Sequence, residues 1–103
     1  MSLHSPLPLR LKEARIRKNL TQQQLGALLG LEQNNASARM NQYERGKHTP
    51  DFDTLKRIAH ILDVPVAYFY CEDKLEAEIL EAMHRLQPEQ KQALLAFIET
   101  LKT

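Results

Sequence analysis

The sequence has few of the residues that build strands and tight turns, and almost no cysteine. Its 103 residues include three glycines, five prolines, 6% aromatic residues and the single cysteine Cys71. No segment alternates apolar and polar residues as a half-buried strand does. Because good helix formers are plentiful, the composition predicts an all-α chain. One cysteine excludes an internal disulfide and a multi-thiolate zinc site.

Targeting and membrane-spanning signals are also missing from the sequence. The first residues lack the charged and apolar regions of a signal peptide, and no apolar stretch approaches the roughly 20 residues of a membrane span. The lone Cys71 is consistent with a reducing compartment. We therefore expect a cytoplasmic protein that has no contact with a membrane.

Signals for catalysis are weak. The four histidines lack the spacing of a metal site, and there is no glycine-rich loop for phosphate; the histidines are His4, His48, His60 and His84. Asp51 and Asp53 are close enough to form a carboxylate pair, but helix capping accounts for them better. We expect no enzyme activity, no catalytic residue, no metal and no cofactor.

Charge is distributed unevenly along the chain, although the net charge is only +1. Residues 9–47 contain eight basic and three acidic side chains, whereas residues 48–103 contain six basic and ten acidic ones. This segregation predicts a front half that meets a polyanion and a back half that stays away from it.

The apolar spacing predicts five helices followed by two more. The five helices lie at residues 9–18, 22–29, 36–45, from Asp51 or Asp53 to residue 62, and 65–70. Residues 1–8 are predicted to be a flexible arm. Residues 72–103 are predicted to form a helical extension, with helices at 74–86 and from Pro88 onward. Its apolar stripes either fold back on the core or pair two chains, and we favour a homodimer.

Local signals fix several helix ends. Thr21 and Gln24 have the spacing of a capping box at the second helix. Asn19, Gly30 and Gly46 can adopt the left-handed backbone that ends a helix.

The third predicted helix has the residue types of a recognition helix for the DNA major groove. Met40 and Tyr43 would pack inward. The outward residues suit base edges or phosphates, since Arg pairs with guanine, Gln and Asn with adenine, and a methyl group with thymine; they are Ser37, Ala38, Arg39, Asn41 and Gln42.

Three segments in register resemble the XRE-type helix-turn-helix family, which includes phage repressors and Cro-like proteins. These segments are residues 20–25, residues 43–50 and residues 55–69. The resemblance covers about residues 9–70. It implies a lambda-repressor-like domain that binds double-stranded DNA, usually as a dimer on a palindromic operator and usually as a repressor.

The resemblance also implies roles for individual residues. The matching base-reading positions are Ser37, Ala38, Arg39 and Gln42. The matching phosphate-binding positions are Gln22, Gln23, Asn41, Arg45 and Lys47. Glu44 matches a structural position, where it would anchor the helix and the following loop. Arg17 and Lys18 are expected to be solvated.

Residues 31–35 form a longer connection than is usual in this family. Either the extra residues make an extended turn, or they lengthen the third helix at its start and bring Gln33 and Asn34 into the groove. We favour the turn with Asn35 as the cap, because Asn caps helices better than it propagates them.

A second hypothesis keeps the fold but changes the function. The chain would then be a protein-interaction module, such as an antitoxin, with a toxin or an anti-regulator as its protein partner. Fold alone does not separate these functions. DNA binding requires the polar outer face of the third helix together with Gln22 and Lys47, and an interaction module does not.

Overall fold

The protein is all-α, as the sequence predicts. A computed structural model describes residues 4–102. The five-helix domain comprises α1 (Leu7–Arg17), α2 (Gln22–Leu28), α3 (Ala36–Glu44), α4 (Phe52–Leu62) and a 3₁₀ helix (Val66–Tyr70). Two further helices follow, α5 (Lys74–His84) and α6 (Pro88–Thr100). No helix within the described residues is long and apolar enough to cross a membrane.

The first helix begins two residues before its predicted start. Leu7 is buried in the core, which draws it and Pro8 into α1. Proline suits the first turn of a helix because its missing N–H would have no partner there. The Ser5 hydroxyl accepts a hydrogen bond from the Leu7 N–H at 3.1 Å. Residues 1–3 of the predicted arm lie outside the described part of the chain.

The first four helices end in the same way, with a residue in the left-handed backbone conformation. Asn19, Gly30 and Gly46 take these positions as predicted, and Asp63, which the sequence reasoning missed, ends α4 with φ at 58°. After α3, the N–H groups of Gly46 and Lys47 donate to the carbonyls of Tyr43 and Gln42. These two hydrogen bonds close a Schellman motif and turn the chain sharply.

Side chains cap the starts of two of these helices. Thr21 and Gln24 form the predicted capping box, since each side chain bonds the other's backbone N–H. At α4 the cap is Asp51, whose carboxylate accepts from the Thr54 N–H at 2.8 Å. That hydrogen bond lowers the pKa of Asp51. Asp53 lies in the first turn instead.

One core joins the helices of the domain. Met40 and Tyr43 of α3 are buried as predicted, together with the apolar residues Leu11, Ala14, Leu55, Ile58, Ala59, Leu62, Val64 and Phe69. Leu28 is an exception, because it remains 58% exposed while Leu25 and Leu29 form the inner edge of α2. The apolar spacing in α2 alone therefore does not show which of its leucines are buried.

The basic residues of α1 do not all face solvent, although the basic excess of residues 9–47 predicted a surface that meets a polyanion. Arg10 is buried and donates to the carbonyls of Cys71 and Glu72 at 2.8 and 2.9 Å. Arg17, expected to be solvated, forms an ion pair with Glu81 of α5. Lys18 is exposed as expected. Part of the positive charge thus holds the chain together.

The helix α5 folds back on the domain, but its apolar stripe is only partly covered, since Met83 and Leu86 are half-buried and Leu75 and Ile79 are exposed. Its buried residue is Ala77, and the Arg85 guanidinium lies 3.2 Å from the carboxylate of Asp63. Leu75 and Ile79 remain 64% and 53% exposed. None of the described residues of α6 is buried. Folding back therefore accounts for α5 and leaves α6 uncovered.

Candidate nucleic-acid interface

The site is built on an unusually close approach of α2 and α3. A Cβ atom added to Gly26 would lie 2.7 Å from the Cβ of Ala36 and 2.9 Å from its carbonyl oxygen. Both distances are shorter than van der Waals contact, and one involves rigid backbone. The pair of helices therefore requires glycine at residue 26 and a small residue at 36. A glycine inside a helical pattern was the available sequence signal for this contact.

Residues 31–35 form an extended turn, which confirms the favoured alternative. The backbone at residues 31–32 is irregular, residues 33–35 are a turn, and α3 begins at Ala36. Asn35 stands at the start of the helix, but its side chain makes no capping hydrogen bond. Its φ of −131° and ψ of 2° depart from the extended backbone that a capping side chain normally accompanies.

The helix α3 separates an inner edge from an outer edge. Ala36, Met40 and Tyr43 are buried, and Met40 is completely enclosed. The predicted base-reading residues lie on the other side: Ser37, Ala38 and Arg39 are exposed and Gln42 is half-buried. The Arg39 side chain makes no hydrogen bond or ion pair within residues 4–102. A convex edge with unpaired polar groups matches what a major groove can accept.

Gln22 joins the start of α2 to this edge of α3. Its side-chain amide donates to the Glu44 carboxylate at 3.1 Å and to the Asn41 side-chain oxygen at 3.3 Å. Gln22 and Asn41, both predicted to bind phosphate, therefore lie side by side. Backbone N–H groups at the start of α2 point in the direction that favours an anion.

Gln23 is held by the extended turn. Its side-chain amide donates to the carbonyl oxygen of Gln33 at 3.0 Å. This hydrogen bond holds the turn against α2. Gln23 therefore has a structural role in addition to its predicted phosphate contact.

Glu44 is an internal anchor, as predicted. Its carboxylate receives two hydrogen bonds from the Arg15 guanidinium, at 2.5 and 3.0 Å, and its side chain is 3% exposed. Arg15 also donates to the carbonyl oxygen of Leu20 at 2.8 Å. The sequence did not single out Arg15, because its partner lies 29 positions away along the chain.

The loop after α3 supplies further polar groups. Arg45 and Lys47, predicted to bind phosphate, flank Gly46 and are exposed. His48 and Thr49 join Arg39 and Gln42 around a depression of about 250 Å³. Sequence reasoning did not assign His48 and Thr49 to the site, although their place directly after the recognition helix was a signal.

Comparison with known proteins shows a family and a related solved structure. A helix-turn-helix family model (HTH_3) matches residues 11–69, more than half of the chain. The chain belongs to the XRE-type helix-turn-helix family. The crystal structure of the transcriptional regulator BswR resembles this helix-turn-helix protein with a TM-score of 0.86 and 48% sequence identity, over 91% of this chain and 93% of that one. A search of curated proteins found no match.

The helix-turn-helix protein is therefore a DNA-binding transcription regulator and not an enzyme. Partial burial and the nearby Glu76 carboxylate raise the pKa of Cys71, so its thiol is expected to be unreactive. A raised pKa disfavours the reactive thiolate. Within residues 4–102, no group of three or more His, Cys, Asp or Glu side chains is placed to hold a metal ion.

Proposed function

We propose that the protein is a cytoplasmic repressor that binds a palindromic operator as a homodimer. The observation that carries this proposal is the outer edge of α3, where exposed Ser37, Ala38 and Arg39 stand beside Gln42. These side chains would read bases, and an exposed Arg39 is well suited to guanine. The likeness to BswR supports a role in transcription. A bound repressor would act by occupying the operator.

Phosphate contacts on both sides of α3 would set its position in the groove. Gln22, Gln23 and Asn41 would supply contacts near the start of α2, and Arg45 and Lys47 would supply them directly after the end of α3. Such contacts fix register and orientation and supply most of the sequence-independent affinity. The Gln22–Asn41 hydrogen bond supports this grouping, because it places the two amides where one strand of the backbone could meet both.

Replacing Lys47 with alanine tests the phosphate contacts. We expect Lys47→Ala to weaken binding to all duplexes alike and to reduce the slope of log affinity against log salt by about one unit, because one fewer counterion is released. The measurement is a fluorescence anisotropy titration on an unrelated duplex across a salt series.

Lys56→Ala, on the exposed side of α4, is the matched control and should keep the wild-type slope. The outcome that contradicts DNA binding is a wild-type affinity that does not fall as salt rises. A Lys47→Ala slope equal to that of the wild type would remove Lys47 alone from the interface.

The helix α6 provides a surface for a second copy of the chain. Five apolar side chains fall within about half of the helix circumference at 100° per residue; they are Leu94, Leu95, Phe97, Ile98 and Leu101. Four of these are between 40% and 66% exposed. Large exposed apolar patches mark interaction surfaces. Pairing through α6 would also give the two-fold symmetry that a palindrome requires.

A charge on the apolar face of α6 tests this pairing. We expect the wild-type chain to sediment as a dimer and Ile98→Glu to sediment as a monomer, because a buried unpaired carboxylate costs several kcal/mol. Gln92→Glu places the same charge on the opposite side of α6 and should leave the dimer intact.

A variant that ends after residue 86 keeps α5, with its ion pairs to the core, and should also be monomeric. A monomeric wild-type chain would contradict the homodimer and favour a different protein partner for α6. A dimeric Ile98→Glu variant would show that the chains pair elsewhere.

A further inference from the structure

A groove separates the start of α1 from the loop that follows α3. Its volume is about 800 Å³, and its lining includes Pro8, Leu9 and Lys12 of α1, Arg45 and His48 after α3, and Tyr70 of the 3₁₀ helix. Small-molecule sites in proteins typically measure about 300–1,000 Å³. The groove is therefore large enough for an organic ligand.

Two residues that line the groove are apolar and do not pack in the hydrophobic core. Leu9 is 59% exposed and Tyr70 is 55% exposed. Pro8 lies close to the loop, since its Cγ would be 3.4 Å from a Cβ added to Gly46. A phosphodiester backbone offers charge and sugar but little apolar surface to cover such walls. The walls instead suit the hydrocarbon or aromatic body of a ligand.

Lys12 and Arg45 make the polar part of the groove positively charged. Both are exposed, and their side chains have no hydrogen bond or ion pair within residues 4–102. Glu44 is the one carboxylate among the described lining residues, and its charge is already paired with Arg15. An anion that enters the groove thus meets positive groups and no unpaired carboxylate.

We propose that this groove binds a small organic carboxylate with an apolar body, in competition with DNA. The carboxylate would lie between Lys12 and Arg45, and the body against Leu9 and Tyr70. The proposal rests on the proposed function, because Arg45 is one of its predicted phosphate contacts. One guanidinium cannot serve the ligand and a DNA phosphate at the same time, so the ligand would release the operator.

The test uses the full chain, with 4-phenylbutyrate as the probe and 4-phenylbutanamide as its uncharged control. In ¹H–¹⁵N correlation spectra, 4-phenylbutyrate should shift the amides of Leu9, Lys12, Arg45 and Tyr70 until they saturate. Lys12→Gln should weaken probe binding about tenfold by removing a charge-assisted bond, and Leu9→Gln should weaken it several-fold. Lys18→Gln, on the same helix but outside the groove, should bind as the wild type does.

The second arm measures DNA binding in the presence of the probe. At a probe concentration of about ten times its dissociation constant, mutually exclusive binding lowers apparent DNA affinity about elevenfold. The proposal that the groove binds the ligand would be refuted if the shifts did not saturate. It would also be refuted if the wild type, Lys12→Gln and Leu9→Gln bound the probe equally well. Saturable binding of the probe with unchanged DNA affinity would refute the proposal that the ligand and DNA compete. A chain that binds no DNA without the probe would instead refute the proposed function, while the spectra still report on the groove.

Discussion

Arg15→Met is expected to lower the free energy of unfolding by about 3–5 kcal/mol. The variant removes the guanidinium that donates two hydrogen bonds to the Glu44 carboxylate. That carboxylate is 3% exposed, so water cannot replace the lost partner. Only the amide of Gln22 would remain to satisfy it. Urea denaturation measures the loss, and heating should show a midpoint lower by about 4–8 °C per kcal/mol.

Two controls separate the charge pair from general effects of the substitution. Lys18→Met changes an exposed cation on the same helix and should cost little. The double variant Arg15→Met, Glu44→Leu should recover much of the lost stability, because no unpaired carboxylate is then buried. An Arg15→Met variant as stable as Lys18→Met would show that the pair behaves as a solvent-exposed ion pair, contrary to the geometry described above.

The positions of the helices followed from local signals. Apolar spacing and caps involve residues a few positions apart, so Thr21 with Gln24 and the glycines at 30 and 46 marked helix ends that the structure confirms. The longer connection at residues 31–35 was predicted from the resemblance to the family, and its form as a turn was predicted from the residue types. Asn35 is the exception, because its backbone angles lack the cap geometry that its residue type suggested.

Long-range partners were the part that the sequence could not supply. Arg10, Arg15 and Arg17 were counted in the basic excess of residues 9–47, but each has a partner within the chain. The partners of Arg10 lie between the 3₁₀ helix and α5, that of Arg15 lies on α3, and that of Arg17 lies on α5. A net charge along the chain cannot distinguish an arginine that meets DNA from one that holds two helices together. Only Lys12 and Lys18 of the α1 basic residues remain without a described side-chain partner.

The sequence also could not show whether an apolar stripe faces the core or solvent. In α5, Leu75 and Ile79 lie on one face, but both are exposed, and Ala77 packs on the domain instead. In α6, the exposed Phe97 widens the apolar face. An amphipathic pattern indicates that an apolar face needs a partner, but it does not identify the surface that covers that face.

Base recognition by α3 gives the second large expected effect. Arg39→Ala should cost about 1–3 kcal/mol at a cognate site, and Gln42→Ala should cost about as much. Arg39 is exposed and unpaired among the described residues, so its removal leaves no buried group behind and should not unfold the chain. The loss should fall on one base pair per side chain in each half-site. Affinity for unrelated duplexes should change little for Gln42→Ala, because that side chain carries no charge.

Selection of bound duplexes from random DNA tests the role of α3 most directly, with the wild type, Arg39→Ala, Gln42→Ala and the control Lys18→Ala run in parallel. We predict that the wild type and Lys18→Ala enrich the same inverted half-sites, with centres about 34–36 Å apart, and that each α3 variant loses preference at its own base pair. Identical enriched sequences from all four proteins would contradict base reading by the outer edge of α3.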